Sequence, residues 1–200
     1  MKEIKKTIEE WILFFETEVP KHVTETRWDH IKRVAFYSEE LALIHGYEEP
    51  KKAYLAGLCH DITKQKKMDI HYELFIEFKV NTEGIPSQAL HAYSAPLFIN
   101  KHFGFFDPEF QSAIQSHTLG NLNPSLLDQI VYAADFLGSD YCQRLQELKD
   151  WTIKTKENLH FGIFMKAFKT ISLLMEKKEM IHPYTFFTYN FSLQSLKENF

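Results

Sequence analysis

Two hundred residues that are 44% hydrophobic, with only 7 Gly and 7 Pro, can bury a sizeable core, most simply as one domain over residues 1–200. A formal net charge of −4 and a pI near 6.2 exclude a general nucleic-acid binder, which needs a strongly basic face. Two cysteines, Cys59 and Cys142, without CxxC spacing exclude a disulfide scaffold and fit a reducing cytoplasm, so the expected location is cytoplasmic.

Residues 1–20 predict an additional N-terminal helix over 2–18 that stops before Pro20. Its Trp11-Ile12-Leu13-Phe14-Phe15 run is short and flanked by Glu9, Glu10, Glu16 and Glu18, unlike a secretory leader, and is expected to pack on the domain rather than a membrane. No stretch is long enough to cross a bilayer. Residues 25–45 predict a second helix, with Ile31, Val34, Ala35, Leu41, Ala42 and Ile44 on one side and Gly46 as its stop. Pro50 opens a third that runs to Asp61. Pro86, Pro108 and Pro124 each suit a first helical turn, with Asp107 and Asn123 as N-caps for the last two. Pro96 removes a backbone donor within the helix that carries His91 and predicts a kink or a restart there. Helices over 157–178 and 184–198 complete an all-α chain, with residues 157–200 packing on the core. There is no repeat, low-complexity tract or linker.

Within these segments lie His30, His60-Asp61, His91, His117 and Asp135. A single histidine is ordinarily a solvated or hydrogen-bonded side chain. Here His60-Asp61 closes the apolar run Ala53-Tyr54-Leu55-Ala56-Gly57-Leu58-Cys59, and Asp135 closes Ile130-Val131-Tyr132-Ala133-Ala134. Charge carried into a core is costly unless paired or metal-bound. Four imidazoles and two carboxylates suit one or two divalent first-row metals that retain water, hence a metal-dependent hydrolase. A polyanionic substrate would then need local positive charge, available from the metals, Arg27, Lys64, Lys66 and Lys67.

Arg27-x-x-His30, Leu58-Cys59-His60-Asp61-Ile62-Thr63-Lys64, Leu90-His91, Ala113-Ile114-x-x-His117-Thr118-x-Gly120, Asp128 to Asp135 and Ile181-His182-Pro183 resemble the HD-domain superfamily. More narrowly they resemble its YqeK-type members, bacterial symmetrical diadenosine tetraphosphate hydrolases, over roughly residues 25–190. The resemblance implies an HD-domain helical bundle in which His30, His60, Asp61 and Asp135 hold one metal and Asp61 bridges to a second held by His91 and His117. It implies iron first and manganese next, although the ligand types accept several metals. The implied reaction is cleavage of diadenosine tetraphosphate to two ADP by metal-activated hydroxide, with Asp61 as bridging ligand and proton acceptor. Lys64 and Arg27 would stabilise phosphate and leaving-group charge. Thr118 and Gly120 would form a substrate-side loop, and His182 would line the nucleotide end. For Lys64 the ordinary alternative is a solvated cation at a helix end. Gly120 suits a helix stop equally well, and His182-Pro183 a turn.

Departures from the family pattern fall on the substrate side. Where YqeK-type proteins carry an acidic residue and then an arginine after Asp135, this chain reads Phe136-Leu137-Gly138-Ser139-Asp140, with Arg144 later, and Ala92 follows His91 where the family tends to have Gly. Two other readings therefore stay open: an HD phosphohydrolase acting on another nucleotide, and a catalytically silent nucleotide-binding or regulatory module. The expected partner is a nucleotide or dinucleoside polyphosphate, without nucleic acid or membrane, and homodimer formation is left open.

Overall fold

Among the described residues, 6–198, the computed structural model contains eleven α-helices and no strand, as the all-α reading predicts. Helix α1 (Ile8–Glu18) begins under Thr7, whose hydroxyl accepts from the Glu10 N–H while the Glu10 carboxylate accepts from the Thr7 N–H. This reciprocal cap sets the start well inside the expected 2–18, and residues 1–5 lie outside the described ones. Trp11 and Phe15 then meet Phe105 edge-on, which seats the apolar run on the core. Pro20 falls in a 3-10 turn, Val19–Lys21, that leads into α2 (Glu25–Ile44).

Helix α2 packs against both α3 (Pro50–Cys59) and α7 (Leu126–Gly138). Two glycines make that approach close enough. A Cβ at Gly57 would lie 2.7 Å from Ser38 Oγ, and one at Gly138 would lie 2.7 Å from Val34 Cγ2. Larger residues would push the helices apart, and with them the carbonyls of Gly57 and Gly138 that orient two of the histidines described below.

Helix α4 (Met68–Glu77) was not expected, because Lys67 at its N-cap makes no side-chain cap and leaves no start signal. Pro86 precedes a 3-10 turn, Ser87–Ala89, rather than opening α5 (Leu90–Phe103), so His91 is in the first turn. Helix α5 continues through the buried Pro96 to Phe103, so of the kink or restart expected there the restart does not occur. Asp107 caps α6 (Pro108–Leu119) through the Phe110 N–H, as predicted. Helix α7 starts later than expected, because Ser125 rather than Asn123 is the N-cap and pairs reciprocally with Asp128.

The C-terminal part holds α8 (Asp140–Gln143), α9 (Leu148–Glu157), α10 (Leu159–Lys177) and α11 (Pro183–Glu198). The expected helix from residue 157 instead begins under Asn158, whose carboxamide accepts from the His160 N–H, and α9 ends just before it. Helix α10 packs on α7, α9 and α11. No helix among the described residues is long and apolar enough to cross a membrane.

Candidate dinuclear metal site

The fold brings all six sequence-predicted ligand residues together at one end of α2, α3, α5, α6 and α7. His30 is on α2, His60-Asp61 follows α3, His91 is on α5, His117 on α6 and Asp135 on α7. Ligand atoms of His30, His60 and Asp61 lie within 4.8 Å of one another, and so do those of Asp61, His91 and His117, so two triads share one carboxylate. The two oxygens of Asp61 divide between them. Oδ1 lies 3.2 and 3.6 Å from the Nε2 atoms of His91 and His117, while Oδ2 lies 3.7 and 3.5 Å from those of His30 and His60. Asp135 joins the first group, its Oδ1 being 3.2 Å from His30 Nε2 and 3.5 Å from His60 Nε2.

Backbone carbonyls decide which imidazole nitrogen faces inward. Nδ1 of His30 meets Gly138 O at 3.0 Å, that of His60 meets Gly57 O at 2.7 Å and that of His117 meets Ile114 O at 2.6 Å. A carbonyl only accepts, so each Nδ1 carries a proton and each neutral ring presents a lone pair on Nε2. The Nε2 atoms converge: His30 and His60 Nε2 are 3.2 Å apart, and His91 Nε2 lies 3.1 Å from His117 Nε2. Asp61 Oδ1 is buried and accepts no hydrogen bond. Converging lone pairs around an unsatisfied carboxylate oxygen fit a divalent cation, so the donor set matches the metals that the sequence implies.

The electrostatics agree. Burial alone would push the Asp61 and Asp135 carboxyls up, but the imidazoles around Asp61, and Lys166 with His30 and His60 around Asp135, hold both well below the usual carboxylate range. Burial pushes His91 down and His117 down to about 3, which keeps both neutral and able to donate a lone pair. His60 is held up because its burial is outweighed by Asp61 and Asp135.

A cavity of about 370 Å3 opens onto this group, lined in part by Arg27, Asp61, Lys64, Thr118, Ser139 and Lys166. Arg27 Nη1 is 3.1 Å from Asp61 Oδ2. Lys64 Nζ sits 3.2 Å from His91 Nε2, and Thr118 Oγ1 lies 3.0 Å from His117 Nε2. Gly120 and His182, which the resemblance implies as substrate contacts, are not among the residues that line this cavity. Gly120 adopts φ +87, and a Cβ there would lie 1.9 Å from Thr188 Oγ1, so this glycine serves the packing of α11 on the end of α6. His182 accepts from the Tyr184 N–H at 3.2 Å and holds the turn into α11.

Three supporting groups went unread in the sequence. Lys166 on α10 is buried and donates to Asp135 Oδ2 at 2.6 Å, His117 O at 2.5 Å and Tyr132 O at 3.1 Å. Its signal was a lone cation in the run Ile163-Phe164-Met165-Lys166-Ala167-Phe168. Thr63 donates to His91 O at 2.9 Å and contacts Ser94 Oγ, which lies 2.7 Å from His71 Nδ1, so α4 braces α5 behind His91. Arg33 Nε shares Gly138 O with His30 and pairs with Asp140.

An all-helical fold around two His/Asp triads sharing a carboxylate defines the class of metal-dependent hydrolases. The HD domain family model matches residues 27–139, and the chain belongs to that family. Over 175 residues it is 29% identical to a protein of Halalkalibacterium halodurans named bis(5'-nucleosyl)-tetraphosphatase, symmetrical, covering 86% of this chain and 91% of that one. A Bacillus subtilis protein of the same name is 26% identical over 181 residues, covering 86% and 92%. A predicted HD superfamily hydrolase involved in NAD metabolism from Clostridium acetobutylicum superposes with a TM-score of 0.80 at 23% identity, covering 92% of this chain and 97% of that one.

Proposed function

We propose that this HD-domain hydrolase cleaves a dinucleoside polyphosphate, diadenosine tetraphosphate first, to two ADP. The observation that carries the reading is the division of the Asp61 oxygens between two triads at the floor of a cavity rimmed by Arg27 and Lys64. The relatives named as symmetrical tetraphosphatases support the choice of substrate. His30, His60, Asp61 and Asp135 would hold one divalent ion, and Asp61, His91 and His117 a second, with iron the first choice and manganese the next.

Such ions, when bound, acidify water and draw charge from phosphate oxygens. The chain's own residues do the rest. Asp61, ionised and buried, is the acceptor placed to take a proton from the attacking water. Arg27 and Lys64 line the cavity and neutralise charge on the phosphates and on the departing ADP, where phosphoryl transfer gains most from positioning and electrostatics. Thr118 offers a hydroxyl to a phosphate oxygen on the same wall.

The test is chromatography of early products from the metal-loaded protein and diadenosine tetraphosphate. Two ADP is the expected result, ATP plus AMP would reject symmetric cleavage, and no cleavage would favour another nucleotide. That second reading draws on the altered segment after Asp135, where Arg33 binds Asp140 in the cavity wall.

A further inference from the structure

A second and larger cavity, of about 600 Å3, adjoins the first. Asp135, Ser139, Lys166 and Thr170 line both, so a phosphate chain held over the triads has a direct path into it. Its remaining wall comes from Phe136, Tyr141 and the outer turns of α10 through Glu176. From Lys166 to Glu176 the helix rises about 15 Å, at 1.5 Å per residue. The volume falls in the range typical of small-molecule sites, roughly 300–1,000 Å3.

Three rings, Phe136, Tyr141 and Phe168, line it, and Phe136 and Phe168 are backed by further rings. Phe168 is 40% exposed and Tyr141 is 45% exposed, and both line the cavity. Phe168 lies nearly parallel to Phe164 behind it, at 10° and 5.8 Å between centroids, while Phe164 continues to Tyr189 at 5.5 Å. Phe136 forms a buried floor stacked on Trp151 at 5.6 Å. Rings fixed from behind are ready-made stacking platforms, because little side-chain freedom is left to lose when a flat ligand arrives. Lys169 adds a cation that contacts the Trp151 and Phe168 rings and has no carboxylate partner among the described residues.

We propose that this cavity receives one nucleoside of the substrate, its base stacking on Phe168 and Tyr141 while Lys169 faces the adjoining phosphates. The proposal rests on the phosphohydrolase reading above, and it gives the altered segment after Asp135 a use, since Phe136, Ser139 and Tyr141 supply much of the wall. Stacking tolerates any base, so the site recognises a nucleoside by shape rather than by a hydrogen-bond code.

The experiment is calorimetric binding of ADP and of inorganic pyrophosphate to the metal-loaded full-length protein, with thermal melts to verify folding. Phe168→Ala and Tyr141→Ala should each weaken ADP about 10-fold or more, in line with the loss of one stacking partner, and leave pyrophosphate unchanged. Phe168→Trp should restore ADP binding. Equal weakening of both ligands, unchanged ADP binding in both alanine variants, or a wild type that does not prefer ADP to pyrophosphate would overturn the proposal. The two readings fail separately. Cleavage of diadenosine tetraphosphate with ADP binding indifferent to Phe168 and Tyr141 removes the nucleoside cavity alone. Ring-dependent ADP binding without that cleavage supports the cavity and removes the proposed substrate.

Discussion

The floor of the first cavity and the wall of the second are built on different terms. On the floor, His30, His60 and His117 are each tied through Nδ1 to a backbone carbonyl, and all the histidines of the triads are buried. On the wall of the adjoining cavity, α8 and α10 present Tyr141, Phe168 and Lys169 as side chains that hang from exposed or half-buried positions. Ligand geometry is thus set by helix packing, down to the glycines that let α2 approach α3 and α7. Substrate contacts are set by individual side chains that can change without moving a helix.

The largest effect that separates the walls is metal loss. Asp61→Asn should strip both ions and reduce activity to the level of metal-free protein, since a neutral amide cannot serve two triads. His117→Ala or His91→Ala should remove one ion of two. Elemental analysis of each purified variant decides it, and one ion per chain in the wild type, unchanged by either histidine substitution, would refute the shared carboxylate.

Lys64→Ala sharpens the contrast from the other side. With its ammonium at the cavity rim and no ligand atom to offer, Lys64 should be dispensable for metal content yet cost on the order of 10²- to 10³-fold in kcat. Metal loss comparable to that of Asp61→Asn would show that the two walls are not separable there.

Much of the floor was legible in the chain because burying charge leaves a mark. His60-Asp61 and Asp135 end apolar runs, and Asp107-Pro108 marks a helix start in the usual way. The other wall gave fewer marks. A lysine in an apolar run, such as Lys166, ordinarily snorkels to solvent, and only the fold shows its ammonium turned inward onto Asp135. Helix α9 carries Lys149, Asp150, Lys154 and Lys156 and shows little apolar periodicity, so it was not expected. The role of Gly120 is chosen by Thr188, far along the chain, and both a helix stop and a phosphate loop would favour glycine there.

Lys166 joins the two walls and tests how far the floor depends on its neighbour. Lys166→Met removes the partner of a half-buried carboxylate and of the His117 carbonyl at the end of α6, which should cost about 3 kcal/mol of stability without metal. Bound cations would compensate Asp135, so the loss should be smaller in the metal-loaded protein. Thermal melts with and without metal read the difference directly. Equal destabilisation in both states would mean that Lys166 supports packing alone.

The smallest effect belongs to Gly120, where the two readings of one residue predict different observables. Gly120→Ala must place a methyl against Thr188 Oγ1 in a backbone conformation that L-residues avoid, so it should lower stability by roughly 1–3 kcal/mol. Gly46 has φ +72 and open space around its missing Cβ, so Gly46→Ala pays the backbone term alone and serves as the control. The substrate-loop reading predicts the opposite pattern for Gly120→Ala, with stability close to that of the control and KM raised. Denaturation midpoints beside steady-state kinetics separate them: a large fall in stability with wild-type metal content and KM assigns Gly120 to the α6–α11 junction, and a raised KM with a control-like midpoint returns it to the substrate side.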